Sequence, residues 1–153
     1  MRIEAERLIK QAERDLENAR KNVGIGAFEV AAFLERMRAM FIMEDGGRLW
    51  LARATPRAWL EQGKRISVKN APTQFGTVGY EILSDVQNER ITATVELPAR
   101  SAPKSLLLRL RHPKAAPLRS VEVNGKNWKN CEKDKEAIHL EGLKGSIALR
   151  ANY

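Results

Sequence analysis

The hydrophobic period of this chain changes once, at Glu44–Gly47. Before that point apolar residues recur every three or four positions, and after it every second position. The first spacing puts side chains on one stripe of an α-helix, the second on one face of a β-strand. No single element serves both, so the chain reads as a helical part over residues 1–43 and a β part over residues 44–153. A length of 153 residues suits one domain, or a small domain with an appendage.

In the helical part, Ala5, Leu8, Ile9, Ala12, Leu16, Ala19 and Val23 form one stripe and predict a helix over residues 3–23. Glu6 with Lys10, and Glu17 with Lys21, are favourably oriented i, i+4 pairs on its other face. Gly24 and Gly26 supply the left-handed backbone of a short turn. A second helix is predicted from Ala27 to Met43, carrying Ala27, Val30, Ala31, Leu34, Met37 and Phe41, with Glu44–Gly47 as its stop. So short a loop gives an antiparallel helical hairpin. Two helices make a thin core, so the stripes need a third surface. That surface is another helix, the β part, or a second copy of the chain in a homodimer through the hairpin.

In the β part, eight short alternating segments are bounded by Gly, Pro, Asn or Asp. They are RLWLAR, RISVKNA, TVGYEILS, RITATVEL, SLLLRLRH, RSVEVNG, AIHLEG and SIALRANY. Ile91, Ala93, Val95 and Leu97 read inward, as do Leu106, Leu108 and Leu110. Asn124-Gly125 marks a tight hairpin. Eight closely spaced strands without intervening helices predict an antiparallel sandwich or barrel. The expected fold class is α+β, mainly β: an N-terminal antiparallel helical hairpin followed by an antiparallel β-sandwich of about eight strands.

The net charge of +8 sits in the β part. Residues 1–43 hold 8 Lys/Arg against 7 Asp/Glu, and residues 44–153 hold 19 against 12. Such an excess suits nucleic acid or another polyanion, but these cations are spread through alternating strands, as on an ordinary solvated surface. No apolar run approaches the roughly 18 residues of a membrane span, so no membrane partner is expected. The charged N-terminus lacks the apolar core of a secretory signal, and the single Cys131 forms no internal disulfide. A cytoplasmic location is expected on those grounds.

Candidate chemistry is sparse. Glycoside hydrolysis needs two carboxyl groups flanking one bond. The available groups are Glu44 and Asp45, Glu81 and Asp85, and the trio Glu132, Asp134 and Glu136, all read as solvated. Cys131 and His139 have no partner motif for metal or for a thiol nucleophile, and Cys131 reads as a half-buried structural thiol. His112 follows Arg111 in a predicted strand. No phosphate-binding glycine motif occurs. Trp50, Trp59 and Trp128 could stack on sugar rings, although packing is the commoner role for each. No catalytic, cofactor-binding or metal residue is therefore expected.

Two resemblances bear on function. AERLIKQAERDLENARKNVGIGAFEVAAF, residues 5–33, resembles the opening of the HEPN family of helical bundles. That resemblance implies dimerisation. The family's ribonuclease motif, an Arg followed four to six residues later by His on a later helix, has no counterpart here. MEDGGRLWLARATPRAWLEQGKRISVKNAPTQFGTVGYEI and LRLRHPKAAPLRSVEVNGKNW lie within residues 40–153. They resemble the C-terminal end of bacterial glycoside hydrolases with an (α/α)6-toroid catalytic domain. There the last toroid helix leads into a β-sandwich that buttresses the toroid, and Phe33–Phe41 resembles that helix. The acid and base carboxylates of those enzymes lie on helices this chain does not contain. The implied function is a non-catalytic accessory or structural module, related to or truncated from such a hydrolase. The alternatives are a HEPN-like dimer whose basic β-domain binds nucleic acid or another polyanion, and a carbohydrate-binding module.

Overall fold

The computed structural model describes residues 11, 14–18 and 26–153. Residues 11 and 14–18 are helical. The rest of the helix expected over residues 3–23, with Gly24 and Ile25 of its turn, lies outside the described residues. The chain divides into two compact units, Met1–Arg38 and Ala39–Tyr153.

Helix α1 (Gly26–Phe41) is the second expected helix, but it stops two residues early. Ile42 and Met43 belong instead to a strand. The end of α1 is capped from a distance: the Phe41 carbonyl accepts the Ala52 N–H at 2.8 Å and the Tyr80 hydroxyl at 3.0 Å, and the Met40 carbonyl accepts the Ala54 N–H at 3.2 Å. Those bonds satisfy carbonyls that a helix end leaves without partners.

Glu44–Gly47 is therefore not a helix stop. β1 (Ile42–Asp45) and β2 (Arg48–Leu51) pair antiparallel with Asp45 opposite Arg48, which leaves Gly46-Gly47 as a two-residue loop. Its φ angles are +54° and +88°, the double left-handed pattern of a type I′ turn.

The remaining strands are β3 (Arg65–Thr73), β4 (Gly76–Asp85), β5 (Arg90–Glu96), β6 (Ser105–Arg109), β7 (Ser120–Val123), β8 (Lys126–Asn127), β9 (Cys131–Glu132), β10 (Ala137–His139) and β11 (Ser146–Asn152). All eight expected segments contain a strand. β1, β8 and β9 raise the number to eleven among the described residues. The unit is mainly β, with a five-stranded sheet ordered β1-β2-β6-β10-β9 and a six-stranded sheet ordered β3-β4-β5-β11-β7-β8.

The expectation of purely antiparallel pairing needs correction. β2 and β6 run parallel, with Arg48 opposite Ser105 and Leu51 opposite Leu108. The chain between them builds β3, β4 and β5 in the other sheet, so no hairpin fixes their relative direction.

Strand alternation places the core. Leu49, Leu51, Leu106, Leu108 and Ile138 of the five-stranded sheet belong to one apolar cluster. Ile66, Val78, Tyr80, Ile82, Ile91, Val95, Val121, Ile147 and Leu149 of the six-stranded sheet belong to the same cluster. Leu107, on the opposite face of β6 from Leu106 and Leu108, is also buried. β6 is thus covered on both faces, which its unbroken leucine run permits.

Candidate functional site

The polar chemistry of the β unit gathers around Glu136. This residue ends the turn between β9 and β10 in a left-handed conformation, φ 54°, and is buried. The expectation that Glu136 is solvated is therefore wrong. A buried carboxylate must be paired, and Arg57 supplies a two-pronged partner: Nη1 donates to Oε1 at 2.7 Å and Nη2 to Oε2 at 2.8 Å. The His112 backbone N–H donates to the same Oε1 at 3.2 Å, and Arg57 also reaches the His112 carbonyl at 2.6 Å. The hydrogen bond to Glu136 is the main reason that the Arg57 guanidinium holds its proton even more tightly than usual.

Three more arginines lie in the same neighbourhood. Arg111 donates Nη1 to the Thr55 carbonyl at 3.3 Å. Its Nε is buried and makes no hydrogen bond, lying 3.9 Å from Glu136 Oε2. Arg109 donates Nε to the Lys135 carbonyl at 3.0 Å and Nη1 to the Arg53 carbonyl at 3.2 Å. Arg53 lies over the Trp50 ring, 5.4 Å from its centroid, and touches the Met43 sulfur. Burial, followed by the neighbouring Arg111 charge, lowers the Arg109 pKa; the Glu136 carboxylate opposes this, and Arg57 and Arg53 lower it further. Arg57 and Arg111 thus face one buried carboxylate, and Arg109 and Arg53 lie next to them.

Sequence reading missed this cluster. Arg109 and Arg111 are two apart, a spacing that keeps two strand residues on one face, and this was the available signal. Arg53 and Arg57 come from an irregular segment, where spacing carries no such information.

The expected residues fall elsewhere or have structural partners. His112 and Arg111 lie beyond the end of β6, not within a strand. His112 is buried, accepts the N–H groups of Lys114 and Ala116 on Nδ1, and packs 5.0 Å from the Tyr153 ring; burial lowers its pKa. His139 lies between two carboxylates, with Nε2 2.9 Å from Glu132 and Nδ1 3.1 Å from Glu141. Cys131 is half-buried and packs against the core, and no group of three or more potential metal ligands occurs among the described residues.

The remaining carboxylates are separate from one another in role. Glu81 pairs with Arg65, and Asp85 pairs with Arg90 while accepting from Asn88 and Gln62. Glu44 accepts the Gln74 N–H at 2.8 Å. Trp59 stacks on Phe41, 5.7 Å between centroids, and Trp128 packs on the core with its indole N–H on the His139 carbonyl at 2.9 Å.

No protein-family model matches the chain, and no curated protein matches it.

Proposed function

We propose that this chain is a non-catalytic accessory module: a β-sandwich carrying a docking helix, related to the C-terminal sandwich of (α/α)6-toroid glycoside hydrolases. The supporting observation is the surface of α1. Phe28 is 81% exposed, Phe33 57% and Leu34 58%. At about 100° per residue, Phe33 lies roughly 140° around the helix from Phe28. Large apolar groups on well-separated sides are the pattern of a helix buried between neighbours in a larger helical layer. The last helix of a toroid occupies such a position and leads into a sandwich, as α1 leads directly into β1.

The β-sandwich reading rests on two sheets sharing one apolar cluster. Its polar side chains hold segments together: Arg57 and Glu136 tie the segment after β2 to the β9–β10 turn.

The test combines association with turnover. The purified chain should self-associate as concentration rises, with a second copy standing in for the missing helical neighbours. Light scattering on the Phe33→Asp and Leu34→Asp double variant should show monomer only. A panel of aryl glycosides should yield no product above a heat-killed control. A wild-type chain that stays monomeric at high concentration, or that releases sugar, would sink the reading.

A further inference from the structure

The arginine cluster carries more positive charge than its single carboxylate offsets. Arg57 spends its two-pronged face on Glu136. Arg53, Arg109 and Arg111 do not have such a partner. Among the described residues, no hydrogen bond uses Nη2 of Arg53, Arg109 or Arg111. Their hydrogen bonds, to the carbonyls of Arg53, Thr55 and Lys135 and to the Met43 sulfur, fix the guanidinium planes without neutralising them, and Arg111 shares the Glu136 carboxylate with Arg57. Arg111 adds a buried Nε–H that makes no hydrogen bond and faces Glu136 Oε2 at 3.9 Å. Buried donors without acceptors are uncommon and call for a reason.

The geometry points to a binding site for a phosphate monoester at Arg53, Arg109 and Arg111. A guanidinium fork matches phosphate oxygens, and an arginine held in place loses little freedom on binding. Four guanidinium groups with one carboxylate leave three positive charges in excess, which suits a dianion better than a carboxylate. Trp50 and Met43 lie beside Arg53 and offer an apolar shoulder to the organic part of the ligand.

The rest of the molecule favours a small ligand over a nucleic-acid strand. On the six-stranded sheet and its loops, Arg65 pairs with Glu81, Arg90 with Asp85, Arg119 with Glu89 and Arg150 with Glu122. Those four cations are balanced one by one, so they do not supply a track of free charge. Polyanion binding needs such a track, because each phosphate contact adds its share of released counterions. This inference is independent of the docking role of α1: the cluster lies wholly within the β unit, and its test reads no association.

The experiment follows the arginine Nε–H and tryptophan indole N–H signals of the full chain by NMR. Inorganic phosphate is added at about pH 8, where it is a dianion, with ionic strength held constant. Saturable one-to-one shifts are expected at Trp50, Arg109 and Arg111. Arg109→Gln should weaken binding by about tenfold, and the more peripheral Arg53→Gln should also weaken it. Arg65→Gln, on the other sheet, should leave it unchanged. A thermal melt of each variant separates lost binding from lost folding, and only folded variants are scored. Glucose 6-phosphate is the second arm: tighter binding than inorganic phosphate assigns a sugar phosphate, and equal binding assigns free phosphate. Linear shifts spread over all cations, acetate binding as well as phosphate, or unaltered affinity in both folded variants would overturn the proposal. So would a dT12 oligonucleotide that binds more than about tenfold tighter with a steep salt dependence.

Discussion

His139 shows how much a single side chain can depend on its protonation. A neutral imidazole has one donor and one acceptor. Its two ring nitrogens meet Glu132 and Glu141, both acceptors when ionised. Only the imidazolium satisfies both. Burial pulls the His139 pKa down, but its bonds to the two carboxylates outweigh that and hold it above the usual imidazole value. Glu132 is held below the usual carboxylate range, chiefly by Lys135 and then His139. Glu141 is also held low: burial raises it, but the Ser105 hydroxyl, His139 and backbone N–H groups prevail.

The signs follow from these directions. A raised histidine pKa stabilises fully below its unfolded value of 6.5 and loses that effect as pH rises through the folded value. Lowered carboxylate values stabilise above the unfolded 4.5 and lose that effect as pH falls through the folded values. The bridge is therefore strongest between pH 4.5 and 6.5. His112 acts the other way: its lowered pKa stabilises above 6.5 and is lost as pH falls. The comparison must isolate His139. Wild-type melting temperature minus that of His139→Gln should be largest near pH 6 and shrink toward pH 9. A difference independent of pH across that range would show that the imidazolium is not what holds the bridge.

Among the elements, the β1–β2 hairpin ties the two periods of the sequence together. Gly46 has open space where a Cβ would stand, and its φ of +54° is one that Asn tolerates. Gly47 sits at φ +88°, and a Cβ there would come within 3.2 Å of Lys104. Gly46→Asn should change stability by less than about 0.5 kcal/mol, while Gly47→Ala should cost about 1 kcal/mol or more. Urea titration of the two variants checks this, and equal losses would contradict the turn assignment.

This hairpin also shows what the sequence conceals. A double glycine serves a helix C-terminus and a type I′ turn equally well, since both need positive φ. Local chemistry could not choose between them, and the pairing of Ile42–Asp45 with β2 decided it. Where one local rule was sufficient, reading succeeded: Ile91, Ala93 and Val95 are buried, and Asn124-Gly125 turns at φ +50° and +75°. The parallel β2–β6 pair was harder, although the run Leu106–Leu108, buried on both faces, hints at a central strand. Glu136 was misread because a turn has no period from which burial can be inferred.

For the β unit as a whole, β11 joins strands that lie far apart in the sequence. It lies between β5 and β7, with Ile147 opposite Val95 and Leu149 opposite both Ala93 and Val123. Beyond it, the buried Tyr153 hydroxyl donates to the Leu110 carbonyl at 2.8 Å, next to the arginine cluster. Burial raises the Tyr153 pKa, so this donor keeps its proton at ordinary pH. A chain ending at Gly145 should lose its cooperative thermal transition. A sharp melt in that variant, followed by near-ultraviolet circular dichroism, would show that the sheet closes without β11.

The central position of β11 also governs events during synthesis. When β5 and β7 have left the ribosome, neither has its shared neighbour, and two unsatisfied strand edges border an open slot. Any extended segment from another chain can enter it. The nascent protein is thus exposed to strand exchange until Ser146–Asn152 emerges and fills the gap.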